Sequence, residues 1–213
     1  MTSATIERPV AAVLLAAGAS RRFGGTKLVA EVEGTPLVAR TSRVLLAAGL
    51  SPVRVVLGAW EREVRVALSG IAVELVVNPR WEEGMLSSVS CGLRGLAGSV
   101  AVTPADLPFL TAGSVLAVVR ASRTHPEAVC VPSFEGRRGH PIVLPPTAVA
   151  RVLGWPGTAR LSDLLRQPDL EVVEVEVADS GGLRDADVPA DLFSPPGRET
   201  PPARHPNLAR FAK

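Results

Sequence analysis

The sequence has few cysteines and no long apolar run, and both absences narrow the class of protein. Cys91 and Cys130 have no C-x-x-C neighbours, so neither a zinc site nor a disulfide framework is predicted, and both are expected to be reduced thiols in the core. The apolar run over residues 10–17 is shorter than the core of a signal peptide with its cleavage region. No stretch approaches the roughly 20 residues that span a bilayer. We therefore expect a cytoplasmic protein with no membrane partner.

Clustered charge is also scarce. The chain carries 23 basic and 21 acidic residues, a formal net charge of +2, and it has no dense block of arginine or lysine. A surface for nucleic acid or for an anionic membrane is therefore not predicted. Lysine occurs only at positions 27 and 213, so Lys27 says more about function than any single arginine. The sequence contains neither a Ser-His-Asp pattern nor an activated cysteine, so a nucleophilic side chain is not predicted.

An alternation of apolar strands and amphipathic helices fills most of the chain. Its 213 residues, 46% of them hydrophobic, suffice for one domain, which we assign to residues 8–193. Continuous apolar runs predict buried strands, and apolar residues at helical spacing predict helices. The predicted strands cover residues 10–16, 53–57, 73–77, 100–103 and 128–131, and the predicted helices cover residues 36–48, 60–68, 87–96 and 111–122. This order predicts a single-domain α/β fold with a mostly parallel sheet flanked by helices.

The rest of the chain is less regular. Beyond residue 131 the pattern predicts a small β-hairpin and lid region inserted at the sheet edge, with a helix-like segment over residues 159–166 and a strand-like segment over residues 171–177. From residue 194 the prolines lie close together without a periodic apolar face. Residues 194–213 are therefore predicted to be a disordered tail.

Ligands of a parallel α/β sheet bind beyond the carboxyl ends of its strands, which selects the loops over residues 17–27, 78–88 and 104–108. The first loop is rich in small residues that let backbone N–H groups approach an anion, and Arg22 and Lys27 supply positive charge. These are the physical parts of a cradle for a triphosphate. Taken alone, the loop is equally well explained as a glycine-rich turn with solvated cations.

The segment from Leu15 to Lys27 reads L-A-A-G-A-S-R-R-F-G-G-T-K and follows the pattern L-A-A-G-x-S-x-R-x-G-x-x-K, with Phe23 at a usual Met. The chain thereby resembles the MobA-like nucleotidyltransferases of the glycosyltransferase-A-like fold, and it is most similar to their molybdenum cofactor cytidylyltransferase branch. The resemblance covers residues 10–192 and implies a Rossmann-like fold of the nucleotide-diphospho-sugar transferase type. The loop residues that it assigns to nucleotide binding are Leu15, Ala16, Ala17, Gly18, Ser20, Arg22 and Lys27.

A second element, P-A-D-L-P over residues 104–108, matches the family's G-D-x-P, with Ala105 where these enzymes usually have glycine. The resemblance implies that Asp106 binds Mg²⁺ on the triphosphate and acts in catalysis together with Arg22 and Lys27. An aspartate between prolines is, by itself, typical of a turn.

A second carboxylate is expected, because Mg²⁺ prefers oxygen ligands such as one or two carboxylates with phosphates. The segment D-A-D-V-P-A-D-L over residues 185–192 resembles the family's D-I-D-T-P-E-D-L. This implies Asp187 as the further metal ligand, with Asp185 as the second choice. In isolation the segment is better explained as a helix N-terminus that carries acids.

A third element, E-G-M-L-S-S over residues 83–88, resembles the family's E-G-M-S-S-S. It implies that Gly84, Ser87 and Ser88 hold the nucleoside, while Leu86 replaces one serine and cannot make a contact through that hydroxyl. The two serines are equally well explained as residues that cap the following helix.

A fourth element, G-R-R-G-H-P over residues 136–141, matches the G-x-R-G-H-P of the cytidylyltransferase branch. It implies that Arg138, Gly139 and His140 bind the acceptor. A basic turn with one imidazole suits an acceptor with a terminal phosphate, although a lone histidine in such a turn is more often structural.

The reaction implied by the resemblance is transfer of CMP from CTP to the terminal phosphate of a molybdopterin-type cofactor, with release of pyrophosphate. CTP, that cofactor and a molybdoenzyme that receives the product are the implied partners, and Mg²⁺ is the implied cofactor. Two alternatives stay open. One is a transferase of the same fold that uses GTP or UTP, such as a molybdopterin guanylyltransferase or a sugar-phosphate nucleotidyltransferase. The other is a non-catalytic nucleotide-binding protein. Ala17 favours CTP, because the guanylyltransferases usually carry glycine there.

Overall fold

The computed structural model describes residues 9–20, 23, 25–156, 159–186 and 188–193. Arg22, Asp187 and the predicted tail over residues 194–213 lie outside the described residues.

The described residues form an alternation of strands and helices close to the predicted one. The strands are β1 (Ala11–Ala16), β2 (Glu31–Val32), β3 (Thr35–Pro36), β4 (Val53–Leu57), β5 (Glu74–Val77), β6 (Val100–Pro104), β7 (Val129–Phe134), β8 (Arg137–Arg138), β9 (Ile142–Leu144) and β10 (Val172–Glu176). The helices are α1 (Leu37–Ala47), α2 (Glu61–Ala67), α3 (Met85–Leu93), α4 (Ala112–Thr124), α5 (Pro146–Leu153) and α6 (Leu161–Leu164). The hydroxyl of Thr111 caps α4 as predicted, because it accepts the N–H of Ser114 at 3.2 Å.

The main sheet has the strand order β10-β7-β9-β6-β1-β4-β5, with β8 paired to β7. β1 runs parallel to both β4 and β6, and β4 runs parallel to β5. The carboxyl ends of these four strands therefore meet at one edge. The mostly parallel sheet and its flanking helices confirm the predicted α/β fold class.

β9 is an antiparallel strand inside the sheet. It pairs with β6 through Val102 and Ile142 and with β7 through Cys130 and Val143. The predicted hairpin exists as β7 and β8, but the expectation that the whole region beyond residue 131 is inserted at the sheet edge is wrong. β9 is only three residues long and fully buried, so its local pattern does not show which strands it joins.

Alternate residues of β1 pack into two apolar layers. Ala12 and Leu14 contact the layer beneath α1, α2 and α4, whereas Ala11 and Val13 contact the layer beneath α3, α5 and α6. A continuous apolar run is what a strand covered on both faces requires, because successive side chains point to opposite sides.

Close approach of α3 to the sheet depends on one glycine. A Cβ atom on Gly92 would lie 2.4 Å from a methyl carbon of Val13 and 2.8 Å from one of Val56. Since a side chain there has no space, the helix rests directly on β1 and β4, and its first turn reaches the sheet edge where the predicted loops lie.

Two smaller expectations need correction. α5 is absent from the prediction, although its Pro145-Pro146 start suits a proline in the first helical turn. Cys130 is fully buried, and burial raises the pKa of its thiol to about 11, whereas Cys91 is only half-buried at the margin of the core.

Among the described helices, none combines the length and apolar character needed to cross a membrane.

Candidate active site

A first cavity of about 430 Å³ opens at the carboxyl edge of the sheet, where the predicted loops meet. The predicted residues that line it are Leu15, Ala17, Gly18, Ser20, Lys27, Gly84, Ser88 and Asp106. The lining residues that the sequence did not single out are Ala19, Leu28, Trp81, Glu82, Met85 and Pro104. Two predicted nucleotide ligands do not line it: Ala16 is buried in the core, and Ser87 is turned into the protein.

The loop after β1 is held from beneath by two contacts. The indole N–H of Trp60 donates to the carbonyl of Ala19 at 3.1 Å, and the N–H of Ala59 donates to the carbonyl of Ala17 at the same distance. A Cβ atom on Gly58 would lie 2.6 Å from the Ala17 carbonyl oxygen, so glycine is needed for this approach. These contacts hold residues 17–19, the first part of the loop, without a ligand.

Lys27 and Asp106 form an ion pair at the floor of this cavity. The ammonium nitrogen of Lys27 lies 2.5 Å from Oδ2 of Asp106, and both side chains are largely buried. Oδ1 of Asp106 is buried and has no hydrogen-bond partner among the described residues. An unpartnered buried carboxylate oxygen is costly, so this atom is the natural place for a cation or a ligand donor.

The backbone around Asp106 is fixed by α1. Thr41 donates from its hydroxyl to the carbonyl of Ala105 at 3.1 Å, and Nε of Arg40 donates to the carbonyl of Pro108 at 2.9 Å. The methyl group of Ala105 is fully buried in the core and does not line the cavity. The alanine that replaces the usual glycine is therefore accommodated without narrowing the site.

The acidic segment near the C-terminus returns to the same place. The N–H of Ala186 donates to the carbonyl of Asp106 at 2.9 Å, and the carbonyl of Ala186 accepts from Lys27 at 2.8 Å. Asp185 precedes Ala186 and is exposed, while the predicted ligand Asp187 lies outside the described residues. No group of three potential metal ligands occurs in the described part of the chain. Asp106 and Glu82 are the acidic residues among the described ones that line the cavity.

A second cavity of about 570 Å³ adjoins the first and shares Leu15, Gly84, Met85 and Pro104 with it. The three residues predicted to bind the acceptor all line it. Most of its other walls are apolar, and they include residues that sequence reasoning missed. The main additions are Leu86, Val102, Ile142, Ala159, Arg160, Leu161 and Leu165. Arg138 is paired with Glu174 at 2.6 Å, so its charge is partly offset.

His140 is held in the turn by its backbone. Its N–H donates to the carbonyl of Gly182 at 2.8 Å, and Nδ1 of its ring is buried with no partner among the described residues. Burial lowers the pKa of His140 below the ordinary value of 6.5, although a hydrogen bond with the Val102 backbone and the carboxylates of Asp106 and Asp185 oppose the shift. At neutral pH the imidazole is uncharged, and because its other ring nitrogen donates to the Val102 backbone, Nδ1 can only accept a hydrogen bond.

A pair of glycines packs behind this turn. A Cβ atom on Gly182 would lie 2.2 Å from the carbonyl oxygen of His140, and one on Gly181 would collide with the backbone of Phe109. Asp179 fixes the segment, because it accepts from the hydroxyl of Ser114 at 2.7 Å and from the N–H of Gly181 at 2.9 Å. In the sequence, only the Gly-Gly dipeptide at positions 181 and 182 indicates this close backbone packing.

Gly182→Ala is expected to lower the free energy of unfolding by about 1–3 kcal/mol, because the added methyl group must displace a backbone carbonyl. Urea denaturation measures the loss. Gly113→Ala in α4 is the matched control. A Cβ atom there would lie 3.9 Å from Oγ1 of Thr111, its nearest neighbour, and alanine is the better helix former. Equal stability of the two variants would contradict tight packing behind the turn.

The stability of the metal-free protein is expected to decline as the pH falls below about 6.5. Unfolded chains take up a proton on His140 near its ordinary pKa of 6.5, whereas the folded state binds it only at lower pH. The His140 contribution is therefore complete above pH 6.5 and is lost as the pH drops toward the folded pKa. Urea denaturation of wild type and His140→Gln from pH 5 to pH 8 tests this. Parallel curves for the two proteins would rule it out.

The fold and the paired cavities define a nucleotidyltransferase architecture. Residues 12–173 match the family model described as MobA-like NTP transferase domain. The chain therefore belongs to the MobA-like NTP transferase family, and it is a nucleotidyltransferase of that family.

Curated relatives cover nearly the whole chain but differ in name. The purine catabolism protein PucB of Bacillus subtilis is 32% identical and aligns over 84% of this chain and 92% of its own length. The nicotine blue oxidoreductase of Paenarthrobacter nicotinovorans is 31% identical and aligns over 86% of this chain and 95% of its own length. The molybdenum cofactor guanylyltransferase of Mesorhizobium japonicum is 31% identical and aligns over 88% of this chain and 94% of its own length. The family is thus clear, while the names do not converge on one substrate.

Solved structures share the fold. A nucleotidyl transferase from Methanothermobacter thermautotroptrophicus superimposes with a TM-score of 0.76 at 20% identity and covers 87% of this chain and 94% of its own. The Rv0371C protein of Mycobacterium tuberculosis H37Rv in complex with manganese superimposes with a TM-score of 0.68 at 21% identity and covers 86% of this chain and 92% of its own. These likenesses support the α/β fold described above.

Proposed function

We propose that residues 8–193 transfer CMP from CTP to the terminal phosphate of a molybdopterin-type cofactor and release pyrophosphate. The observation that carries the proposal is the pair of adjoining cavities, one with the ion pair of Lys27 and Asp106 and the other with His140 in an apolar wall. Two substrates held in such neighbouring cavities meet at the shared residues, and positioning alone lowers the barrier of a bimolecular reaction.

The first cavity suits a nucleoside triphosphate. Backbone N–H groups of the loop after β1 and the ammonium group of Lys27 provide donors and charge for phosphate oxygens. Asp106 fits a divalent cation such as Mg²⁺, since its buried Oδ1 has no partner among the described residues and the phosphates would supply further oxygen ligands. We assign Asp187 or Asp185 as the additional carboxylate. A bound metal ion supplies charge neutralisation on the triphosphate.

The second cavity suits an acceptor that has a flat apolar body and one anionic end. Its apolar walls would hold the ring system, Nδ1 of His140 would accept a hydrogen bond from it, and the guanidinium groups of Arg138 and Arg160 would face the anionic end. An acceptor phosphate oxygen then forms the new bond to the α-phosphorus of the nucleotide, and the bond to the pyrophosphate oxygen breaks. A phosphate is already anionic near neutral pH, so no nucleophilic side chain is required.

Guanylyl transfer is the second candidate, favoured by the guanylyltransferase among the relatives. CTP is preferred here on the resemblance of the loop and turn motifs and on Ala17, which lines the first cavity at a position where the guanylyltransferases that the chain resembles usually carry glycine.

The test is pyrophosphate release with CTP, GTP, UTP and ATP in Mg²⁺, each with and without a molybdopterin-type acceptor. We expect the fastest acceptor-dependent release with CTP. Faster release with GTP would establish the second candidate, and faster release with UTP or another acceptor would point to a sugar-phosphate type of transferase. Nucleotide binding without release from any NTP would identify a non-catalytic binding protein.

A further inference from the structure

Asn78 follows β5 directly and is almost fully buried, with 3% of its surface exposed. Its Oδ1 accepts the N–H of Arg80 at 3.0 Å, which determines which end of the amide carries the oxygen. Its Nδ2 donates to the hydroxyl oxygens of both Ser87 and Ser88, at 2.9 and 3.0 Å. Both amide protons are therefore used within the protein.

The two serines differ in where their own protons go. The hydroxyl of Ser87 lies 2.8 Å from the carbonyls of Arg80 and Gly84, so its proton has an acceptor inside the protein. Ser88 accepts from Asn78, and no acceptor for its proton is found among the described residues. Ser88 is also the serine of the two that lines the first cavity.

We propose that Asn78 is a positioning residue that holds Ser88 as a hydrogen-bond donor toward the nucleotide, an inference that rests on the nucleotide occupying the first cavity. An amide nitrogen can only donate, so the Ser88 lone pair that faces Asn78 is taken and the hydroxyl proton is directed elsewhere. The remaining direction is the cavity, where the ligand must present an oxygen or nitrogen acceptor. A ligand without such an acceptor would leave a buried hydroxyl proton unsatisfied.

Asn78→Asp reverses the polarity of this contact with little change in shape. The introduced carboxylate only accepts, so it takes the Ser88 proton and withdraws it from the nucleotide. The expected result is a rise of about 5- to 10-fold in the KM and Kd for CTP, the size of one net hydrogen bond. The kcat and the acceptor KM stay unchanged, because an interaction made equally in the ground and transition states is lost.

Ser88→Ala should produce the same rise, Ser88→Thr should restore most of the affinity, and Asn78→Asp/Ser88→Ala should be no weaker than Ser88→Ala alone. Ser90→Ala is the matched control, because Ser90 lies on the same helix and lines neither cavity. Calorimetry with CTP and steady-state kinetics give these numbers. A purely structural role for Asn78 would instead lower kcat and raise both KM values, without rescue by threonine.

If Asn78→Asp does not fold, the Ser88→Ala and Ser88→Thr pair still decides. Unchanged CTP affinity in Ser88→Ala, with normal binding by wild type, would overturn this inference and leave the proposed function standing. Absence of binding of any NTP to wild type would overturn the proposed function and this inference with it.

Discussion

Asp106→Asn is expected to lower kcat for pyrophosphate release by about 100-fold, which corresponds to ~3 kcal/mol of lost transition-state stabilisation. The substitution keeps the shape of the side chain but removes the charge that pairs with Lys27 at 2.5 Å. It also places an amide where a buried carboxylate oxygen has no partner among the described residues. If Asp106 holds the cation, the variant should additionally require much more Mg²⁺ for half-maximal activity.

The control for this prediction is Asp169→Asn. Asp169 forms an ion pair with Arg151 at 2.7 Å on the surface, and it lines neither cavity. That variant removes the same charge with the same change of shape, so its turnover should equal that of wild type. Near-normal turnover of a folded Asp106→Asn protein would remove Asp106 from the catalytic group.

Lys27→Ala should reduce turnover to a similar extent, and the double variant should be less impaired than the product of the two single effects. Residues that act as a pair are not additive, because each single substitution already breaks the shared interaction. Strict additivity would show that Lys27 and Asp106 act on separate parts of the substrate.

His140→Ala is expected to raise the acceptor KM by about 5- to 10-fold, the size of one net hydrogen bond between neutral groups. His140 lines the second cavity and not the first, and its Nδ1 has no partner among the described residues. CTP affinity should therefore be unchanged. The measurements are calorimetry with CTP and acceptor-dependent pyrophosphate release, for wild type and variant side by side.

Two outcomes would contradict the assignment of His140. Equal losses of CTP affinity and acceptor use would place its effect in the nucleotide site or in the core. No loss of either would make it an ordinary turn residue. His140→Gln adds a control for packing, because it keeps a polar side chain of similar reach in a position that is largely buried.

Much of the candidate site was readable from the sequence because its parts lie in short, continuous motifs. The motifs predict Lys27 and Asp106 on separate loops, and the structure brings their charged groups together because both loops follow parallel strands. The serine pair shows the limit of such reading. Ser87 and Ser88 are adjacent in one motif, yet only Ser88 faces the first cavity, since the turn of the helix sends neighbouring side chains in different directions.

Apolar periodicity is a local property of the chain, so the alternation of strands and helices, the two-sided burial of β1 and the edge at which the loops meet could all be predicted from the amino-acid sequence. Three other features became visible only in the folded protein: β9 lies between β6 and β7, Gly182 packs against the His140 turn, and a second, largely apolar cavity adjoins the first. These features depend on contacts between segments far apart in the chain. A three-residue strand or a Gly-Gly dipeptide is too short for its sequence to predict which other segments it will contact.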